Sequence, residues 1–440
     1  MAFAATPAEA KDRKTIAAVA APKPLGTGIA DFYAYRRDYP LWLSPEGGSS
    51  ANELVALLES ARVDGLDPNA YSLDAIHQAL ATARAAIDPK DKKKGRDNRA
   101  AVLRADRLLS QAFVAYVGDL RRDPGPGVTY VEPQLRPQPP VTRFLLEDVA
   151  RGPSPSAYLK TFAWVNPIYL RLRQALVARD YANDEQRGIL ALNLERARIL
   201  PVTRQRYIVV NAAEQKLYAY DGEKRVDEMR VVVGKPKNPT PMMVALIRFA
   251  ALNPYWYVPP DLAAERIAPR VLKQGLGYLK LLGHEVMTDW SEDATVVDPK
   301  TVDWKAVADG KTEILIRQLP GPHNSMGRMK FMFPNEAGIY LHDNPERELF
   351  SEASRLYSGG CVRLENAQRL GEWMFNRPLD WEHASIEQQV PLERPVPVYI
   401  TYLTAVPGGD GKIAYFDDVY SRDKAGIAAL GSSAPSSASR

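Results

Sequence analysis

The chain reads as an α+β protein in which a helical N-terminal part precedes a mainly β C-terminal part. Three observations predict this: helix-period apolar patterning before residue 200, a switch at Arg206 to β-branched and aromatic runs, and proline clusters where neither element can continue. The 440 residues are 45% hydrophobic and 25% charged, ordinary for a globular chain of roughly two to four domains.

Residues 1–28, rich in Ala, Pro, Lys and Gly, read as a disordered leader, with order expected from Asp31-Phe32-Tyr33. A helical scaffold domain is expected over 29–200. Its signals are Glu53-Leu54-Val55-Ala56-Leu57-Leu58 after Ser49-Ser50 and an amphipathic run from Ala101 to Leu120. Asp64-Gly65-Leu66-Asp67-Pro68 reads as a turn. Six prolines near 122–140 exclude a helix or a central strand and leave an extended connector. Helices resume between about 142 and 198.

A second, β-rich domain is expected over 201–420. Tyr207-Ile208-Val209-Val210-Asn211, Lys216-Leu217-Tyr218-Ala219-Tyr220 and Met229-Arg230-Val231-Val232-Val233-Gly234 read as strands, with a turn at Asp221-Gly222. Leu262 to Leu272 and Leu279 to Leu282 are apolar at helical spacing, so a helical insertion is expected over about 261–309. The β texture returns at Glu313-Ile314-Leu315-Ile316 and Lys330-Phe331-Met332-Phe333, and Pro397 to Leu403 closes the domain. Residues 421–440, ending in a Ser/Ala-rich run, read as a disordered tail.

Charge and hydropathy exclude several functions. With 57 basic and 53 acidic side chains, and arginines scattered rather than clustered, there is no case for a nucleic-acid partner. No apolar run approaches the roughly 18 residues of a membrane span. Met1 to Pro7 lacks the basic and apolar regions of a secretory signal. Glycine-rich phosphate cradles are missing, and His77, His284 and His383 lack metal-ligand spacing, so neither a nucleotide nor a metal cofactor is expected.

The chemistry concentrates in one stretch. Cys361 is the only cysteine, which rules out an internal disulfide, and it follows Ser358-Gly359-Gly360. A lone cysteine is most often a small buried hydrophobe. Two preceding glycines and a following Arg363 make a poor core strand, so the thiol reads as a nucleophile instead. His342 stands 361 − 342 = 19 residues upstream, a loop-return distance at which imidazole can take the thiol proton.

These residues resemble the L,D-transpeptidases with the YkuD catalytic fold, whose pattern of a histidine followed by Ser/Thr-x-Gly-Cys-x-Arg is met by His342, Ser358, Gly360, Cys361 and Arg363. Asn193-Leu194-Glu195-Arg196-Ala197-Arg198, Pro239-Thr240-Pro241, Gly321 to Arg328 and His342-Asp343-Asn344-Pro345 resemble the large Gram-negative YcbB-like branch. The chain departs from the family in carrying Gly359 where many members have histidine. Pro167 to Asn193 also leaves no room for the peptidoglycan-binding module usual in that branch.

The resemblance implies a YkuD-like β-sandwich, a periplasmic location with any signal peptide removed, peptidoglycan stem peptides as partners and no cofactor. Cys361 would attack the bond between a meso-diaminopimelate at position three and a terminal D-alanine, with His342 moving the proton. Amides at Gly360 and Cys361, with Gly359 and Tyr340 nearby, are candidates for an oxyanion hole. Asp343 and Ser358 are candidates to orient the imidazole. Arg363 is either a substrate-carboxylate clamp or a loop brace. Trp256, Tyr257 and Trp304 are expected in a lid, or as ordinary core, and His323 and Asn324 as groove residues. The acceptor stays open between 3-3 and 1-3 cross-links. An L,D-carboxypeptidase, a lipoprotein-anchoring transferase and a non-catalytic wall-binding scaffold are the alternatives. A papain-like protease would have its cysteine and histidine in the opposite order.

Overall fold

The computed structural model describes residues 28–87, 95–124, 127–291 and 293–433. The leader expected over 1–28 lies outside these residues except for Gly28, as does the chain beyond 433.

The N-terminal domain is built around the helix Gly95–Leu120. Ala105, Leu109, Ala112, Phe113, Tyr116, Val117 and Leu120 recur along one stripe and are all buried. Asp106 and Ser110 share that stripe and turn polarity to structural use. The Asp106 carboxylate accepts the amides of Leu41, Trp42 and Leu43 at 2.7, 2.8 and 2.8 Å, so it satisfies a segment that has no regular partner. Ser110 accepts the Trp42 indole N–H at 2.9 Å. The turn expected at Asp64 is present, closed by Gly65 with φ +67°, but its aspartate is buried. Its carboxylate accepts from Tyr116, Tyr169 and Arg173, each at 2.9 Å, tying three helices together.

Strands are numbered along the chain. β1 is Val128–Tyr130, β2 Arg206–Asn211, β3 Lys216–Asp221, β4 Lys224–Gly234 and β5 Met242–Leu252. An insertion holds β6 (Trp256–Val258), β7 (His284–Met287), β8 (Val296–Val297) and β9 (Leu315–Gln318). β10 (Met329–Met332), β11 (Leu341–His342), β12 (Leu356–Ser358), β13 (Val362–Leu364) and β14 (Gln388–Thr401) complete the domain.

The main ladder runs β5-β10-β11-β13-β4-β3-β2-β14, and β14 pairs back onto β5, so the circuit closes on itself. A register shift between Pro391 and Val396 lets the long β14 turn this corner. β1 adds to the edge beside β5, with Val128 opposite Met242, so the proline-rich connector supplies a strand as well as a link.

Two expectations need correction. The insertion is not simply helical. β6, β9, β7 and β8 form a sheet against the helices Ala268–Gln274, Gly277–Leu282 and Trp304–Ala308. Glu313–Ile316 therefore leads into the insertion's own sheet, because β9 pairs with β6 and β7 rather than with the main ladder. Strands of two to four residues are too short to display a two-residue period.

The expected disordered tail instead contains the helix Asp423–Ser433. It packs on the helix Asp184–Arg196 through an Arg196–Asp423 ion pair at 2.6 Å, with Gly426 so close to Leu192 that a Cβ would lie 2.7 Å from it. Close packing and one buried pair order a segment whose apolar pattern is weak.

The two domains are welded by polar groups. Asn193 donates to the Thr404 hydroxyl at 2.9 Å and accepts the Thr404 amide at 2.8 Å, and Asn166 donates to the Tyr207 hydroxyl at 3.3 Å. One continuous apolar core runs from Trp42, Phe113 and Trp164 through Tyr207 to Phe331 and Leu341.

Candidate active site

β11 and β13 lie side by side and parallel, with Leu341 opposite Val362 and His342 opposite Arg363. One step back, Tyr340 comes level with Cys361, and the Val362 amide donates to the Tyr340 carbonyl at 3.1 Å. Because strand side chains alternate, Leu341, Val362 and Leu364 enter the core while Tyr340, His342, Cys361 and Arg363 share the other face. The rings of Tyr340 and His342 meet edge-on, with centroids 6.0 Å apart. A pleat thus brings together four residues drawn from two separate sequence stretches.

His342 is 2% exposed, and its Nδ1 lies 2.6 Å from the Asp343 carbonyl oxygen. A carbonyl can only accept, so Nδ1 carries the proton and Nε2 is the basic nitrogen. Burial pushes the imidazole down to about 3, and the charges of Arg363 and Lys330 act the same way, against the pull of the Asp343 and Met326 carbonyls. Burial also pushes the Cys361 thiol up to about 11, against the Tyr340 backbone and Arg363, which favour the thiolate. The sulfur keeps part of its surface open although protein atoms crowd most of it, and it donates weakly to the Gly338 carbonyl at 3.5 Å. Both shifts favour the neutral forms, so burial works against a preformed thiolate–imidazolium pair.

The cysteine loop is fixed from behind. Ser358 Oγ donates to the Cys361 carbonyl at 2.6 Å and accepts the Gly360 amide at 3.1 Å. Gly360 has φ +122°, and a Cβ there would press on Ile339 at 3.2 Å, so glycine is required. Its carbonyl accepts from Thr240 Oγ1 at 2.8 Å, and that hydroxyl accepts the Gly234 amide at 2.9 Å. The Tyr420 hydroxyl, from the C-terminal segment, donates to the Gly234 carbonyl at 2.7 Å.

Several sequence candidates change roles. The Gly360 amide is used inside the turn, which takes it out of the oxyanion set. Ser358 braces the cysteine loop and does not orient the ring. Asp343 acts on His342 through its backbone carbonyl, while its carboxylate holds Arg347 at 3.0 Å and the Arg328 amide at 3.0 Å. Arg363 donates to Glu346 at 2.8 Å and Asn344 at 3.3 Å, so one end of its fork serves as a brace.

Asn324 is 1% exposed and donates to the carbonyls of Pro254, Gln318 and Leu319, so it ties a loop together and faces no groove. His323 is exposed on the wall of a cavity beside Arg363. Trp256 and Trp304 belong to the insertion's core. Tyr257 is 41% exposed and hydrogen-bonds Glu387 at 3.1 Å. Gly359 lies beneath the insertion, where a Cβ would sit 3.6 Å from Leu262 Cδ1.

Sequence reasoning missed Lys330, opposite His342 in β10 and bound to Glu387 at 3.1 Å, and the Thr240–Tyr420 brace. Lys330 carries a usable signal, a lone cation inside the apolar run Met329–Met332. Tyr420 carries none, because 186 residues of chain separate it from Gly234.

A family model described as the L,D-transpeptidase catalytic domain, YkuD, matches residues 205–396, and one described as a Scaffold domain matches 27–176. A Haemophilus influenzae protein named "Putative L,D-transpeptidase" is 31% identical over 242 residues, covering 53% of this chain and 48% of the relative. The chain thus spans about half the length of that curated relative. Two solved structures align at 13% identity, the Ldtfm-avibactam carbamoyl enzyme and an L,D-transpeptidase from Mycobacterium smegmatis. Their TM-scores are 0.22 and 0.20, covering 46% and 44% of this chain and 50% and 58% of theirs. By sequence, residues 205–396 therefore belong to the YkuD family of L,D-transpeptidase catalytic domains, joined in this chain to a Scaffold domain at 27–176.

Proposed function

We propose that the protein is a peptidoglycan L,D-transpeptidase that works outside the cytoplasm, in the periplasm. The observation that carries this reading is the shared face of β11 and β13, where His342, locked in one tautomer by the Asp343 carbonyl, stands beside Cys361.

In the first half-reaction, Sγ of Cys361 attacks the carbonyl of the third stem residue, a diaminopimelate, and its proton passes to Nε2 of His342. Collapse of the tetrahedral adduct breaks the C–N bond, and the leaving D-alanine amine takes that proton. A thioester remains. In the second, an acceptor amine attacks the thioester, His342 accepts its proton, and the proton returns to the departing sulfur.

A neutral resting pair suits this sequence, since charge develops only once substrate is in place. With the Gly360 amide occupied, the Cys361 amide is the donor assigned to the developing oxyanion. Leu262 above Gly359 places the insertion over the loop, where it would shield the thioester from water as a lid.

The acceptor amine of a second diaminopimelate gives 3-3 links, and that of an L-alanine at position one gives 1-3 links. Transfer to water would make the protein an L,D-carboxypeptidase, and transfer to a lipoprotein lysine an anchoring transferase. Incubation with disaccharide-tetrapeptides separates these by product mass. A dimer lacking one D-alanine, made by the wild type and not by Cys361→Ala, is the expected result, and fragmentation locates the acceptor amine. D-alanine release without dimer would favour hydrolysis. No D-alanine release would reject the catalytic reading in favour of a wall-binding scaffold. A carbapenem is also expected to add one drug mass at Cys361.

A further inference from the structure

His284 begins β7 in the insertion and is 8% exposed, yet neither ring nitrogen has a hydrogen-bond partner among the described residues. An unsatisfied buried polar group is costly, so its presence calls for a reason. The ring is held in place: Tyr278 stacks on it at 5.9 Å with planes 18° apart, and Trp256 meets it at 6.4 Å. Burial and the neighbouring Arg270 charge push its pKa down to about 4, so at neutral pH it offers one N–H and one lone pair.

It lines a cavity of about 440 Å³ between the insertion and the loop that follows β11, with Arg363 the member of the β11–β13 face on its wall. Arg266, Arg270 and Arg363 line the same cavity. Glu346 on that wall is already paired with Arg363, and Glu348 is exposed at the rim. Arg266 and Arg270 form no ion pair with a described carboxylate; Arg270 donates only to the Tyr278 hydroxyl, at 3.1 Å. They stand four residues apart across a π-helical turn, Ala263–Ile267, that runs into the helix Ala268–Gln274. Such turns recur at functional sites.

An uncompensated positive wall facing an orphaned neutral imidazole suits a ligand that is an anion on one side and an amide on the other. We propose that His284, Arg266 and Arg270 form a subsite, carried by the insertion, that binds a carboxylate of the stem peptide beside the reacting centre. The inference rests on the transpeptidase reading. It deepens that reading by giving the insertion a recognition role distinct from covering the thioester. The guanidinium groups hold the carboxylate, the imidazole N–H adds a third donor, and its lone pair accepts a peptide N–H.

Two carboxylates of a tetrapeptide donor flank the attacked bond, the terminal one on D-alanine and the one on the diaminopimelate side chain. The test measures binding of three synthetic tetrapeptides to Cys361→Ala by calorimetry: unmodified, amidated at the terminus, and amidated on the side chain. The same titrations are run with Arg270→Gln or His284→Phe added, and kcat and KM are measured for each substitution with Cys361 intact.

Arg270→Gln is expected to weaken the unmodified peptide roughly tenfold, raising KM more than it lowers kcat. The amidated peptide that has lost the recognised carboxylate is weak already and loses little further, which identifies the source. Equal losses for all three peptides, or none, would overturn the subsite. If the wild type releases no D-alanine but the amidation-dependent loss is seen, the transfer reading fails and the carboxylate site stands. If transfer proceeds with no such loss, the reverse holds.

Discussion

The scaffold and the insertion both flank the main sheet, but they are attached to it in different ways. The scaffold shares one uninterrupted apolar core with the sheet and is welded to the β-rich domain at Asn166 and Asn193. The insertion has its own core around Trp256, Ile267, Val307 and Ile316. Tyr340 packs against both cores, Leu262 touches the cysteine loop, and two surface lysines, Lys235 and Lys237, pair with Glu265. Exposed pairs of that kind contribute little. A region that shares a core must move and melt with it, while one with a private core can shift as a body. The difference predicts that the scaffold and sheet hold Cys361 still and that the insertion can shift.

The largest expected effect tests whether the chemistry belongs to the rigid part alone. Cys361→Ala should abolish D-alanine release, a fall on the order of 10⁴-fold or more, with thermal stability unchanged or slightly raised. His342→Gln should lower kcat comparably. Substitutions confined to the insertion, such as Arg270→Gln, should act mainly on KM. An insertion variant that stops turnover while binding donor normally would break the comparison.

Stability gives a second test. Asp64→Ala strands Arg173 and two tyrosine hydroxyls in the interior and should cost about 3–5 kcal/mol. Because the core is shared, calorimetry should show the β-rich domain losing stability in the same transition. Ile316→Ala, 0% exposed in the insertion's core, should cost about 2–5 kcal/mol locally. Hydrogen exchange should then rise in β6, β7 and β9, with β4, β5 and β14 still protected. Equal exchange in both sheets would show one cooperative unit.

Titration offers a third. The His342 and His284 imidazoles are both pushed well below the usual histidine range, to about 3 and about 4, so the unfolded chain binds more protons between those values and about 6.5. Their contribution is complete above about pH 6.5 and is lost as pH falls toward 3 to 4. His342→Gln and His284→Phe should each flatten the fall of Tm between pH 6.5 and 4. The Cys361 thiol, pushed up to about 11, has the opposite sign: its contribution is present below the unfolded thiol range, near 8.5, and is lost as pH rises toward 11. Alkylation of Cys361 in the free enzyme should accordingly keep accelerating above pH 9. A plateau near pH 6 would mean a resting ion pair.

Much of this was legible in the sequence because its signals are local. The helices, the strands at Arg206–Asn211 and Lys216–Asp221, and the histidine and cysteine segments all show in patterns a few residues wide. What was not legible depends on pairing across the chain. Nothing near Gly360 reveals that its amide is bonded to Ser358, and nothing near Asn324 shows that three carbonyls surround it. His284 looks like an ordinary isolated histidine until β7 and the helix Gly277–Leu282 bury it against Tyr278. The tail reads as featureless because its order comes from Arg196, more than two hundred residues upstream.

The smallest effect concerns that same tail, and it tests how far rigidity behind Cys361 matters. Tyr420 is the last link in a chain of contacts. Its hydroxyl donates to the Gly234 carbonyl at 2.7 Å and accepts the Thr240 amide at 3.3 Å, and Thr240 holds the Gly360 carbonyl. Tyr420→Phe keeps the ring stacked on Tyr402 and removes only the hydroxyl, at a stability cost of about 1 kcal/mol. If the cysteine loop is held by this brace, kcat should fall by roughly three- to tenfold with donor KM unchanged, because binding draws on the insertion while attack needs a fixed sulfur. Thr240→Val, which removes both the bond to the Gly360 carbonyl and the one from the Gly234 amide, should exceed it, and the double variant should fall no further than Thr240→Val alone. Additive losses would mean that Tyr420 acts through the stability of the C-terminal segment rather than through the loop.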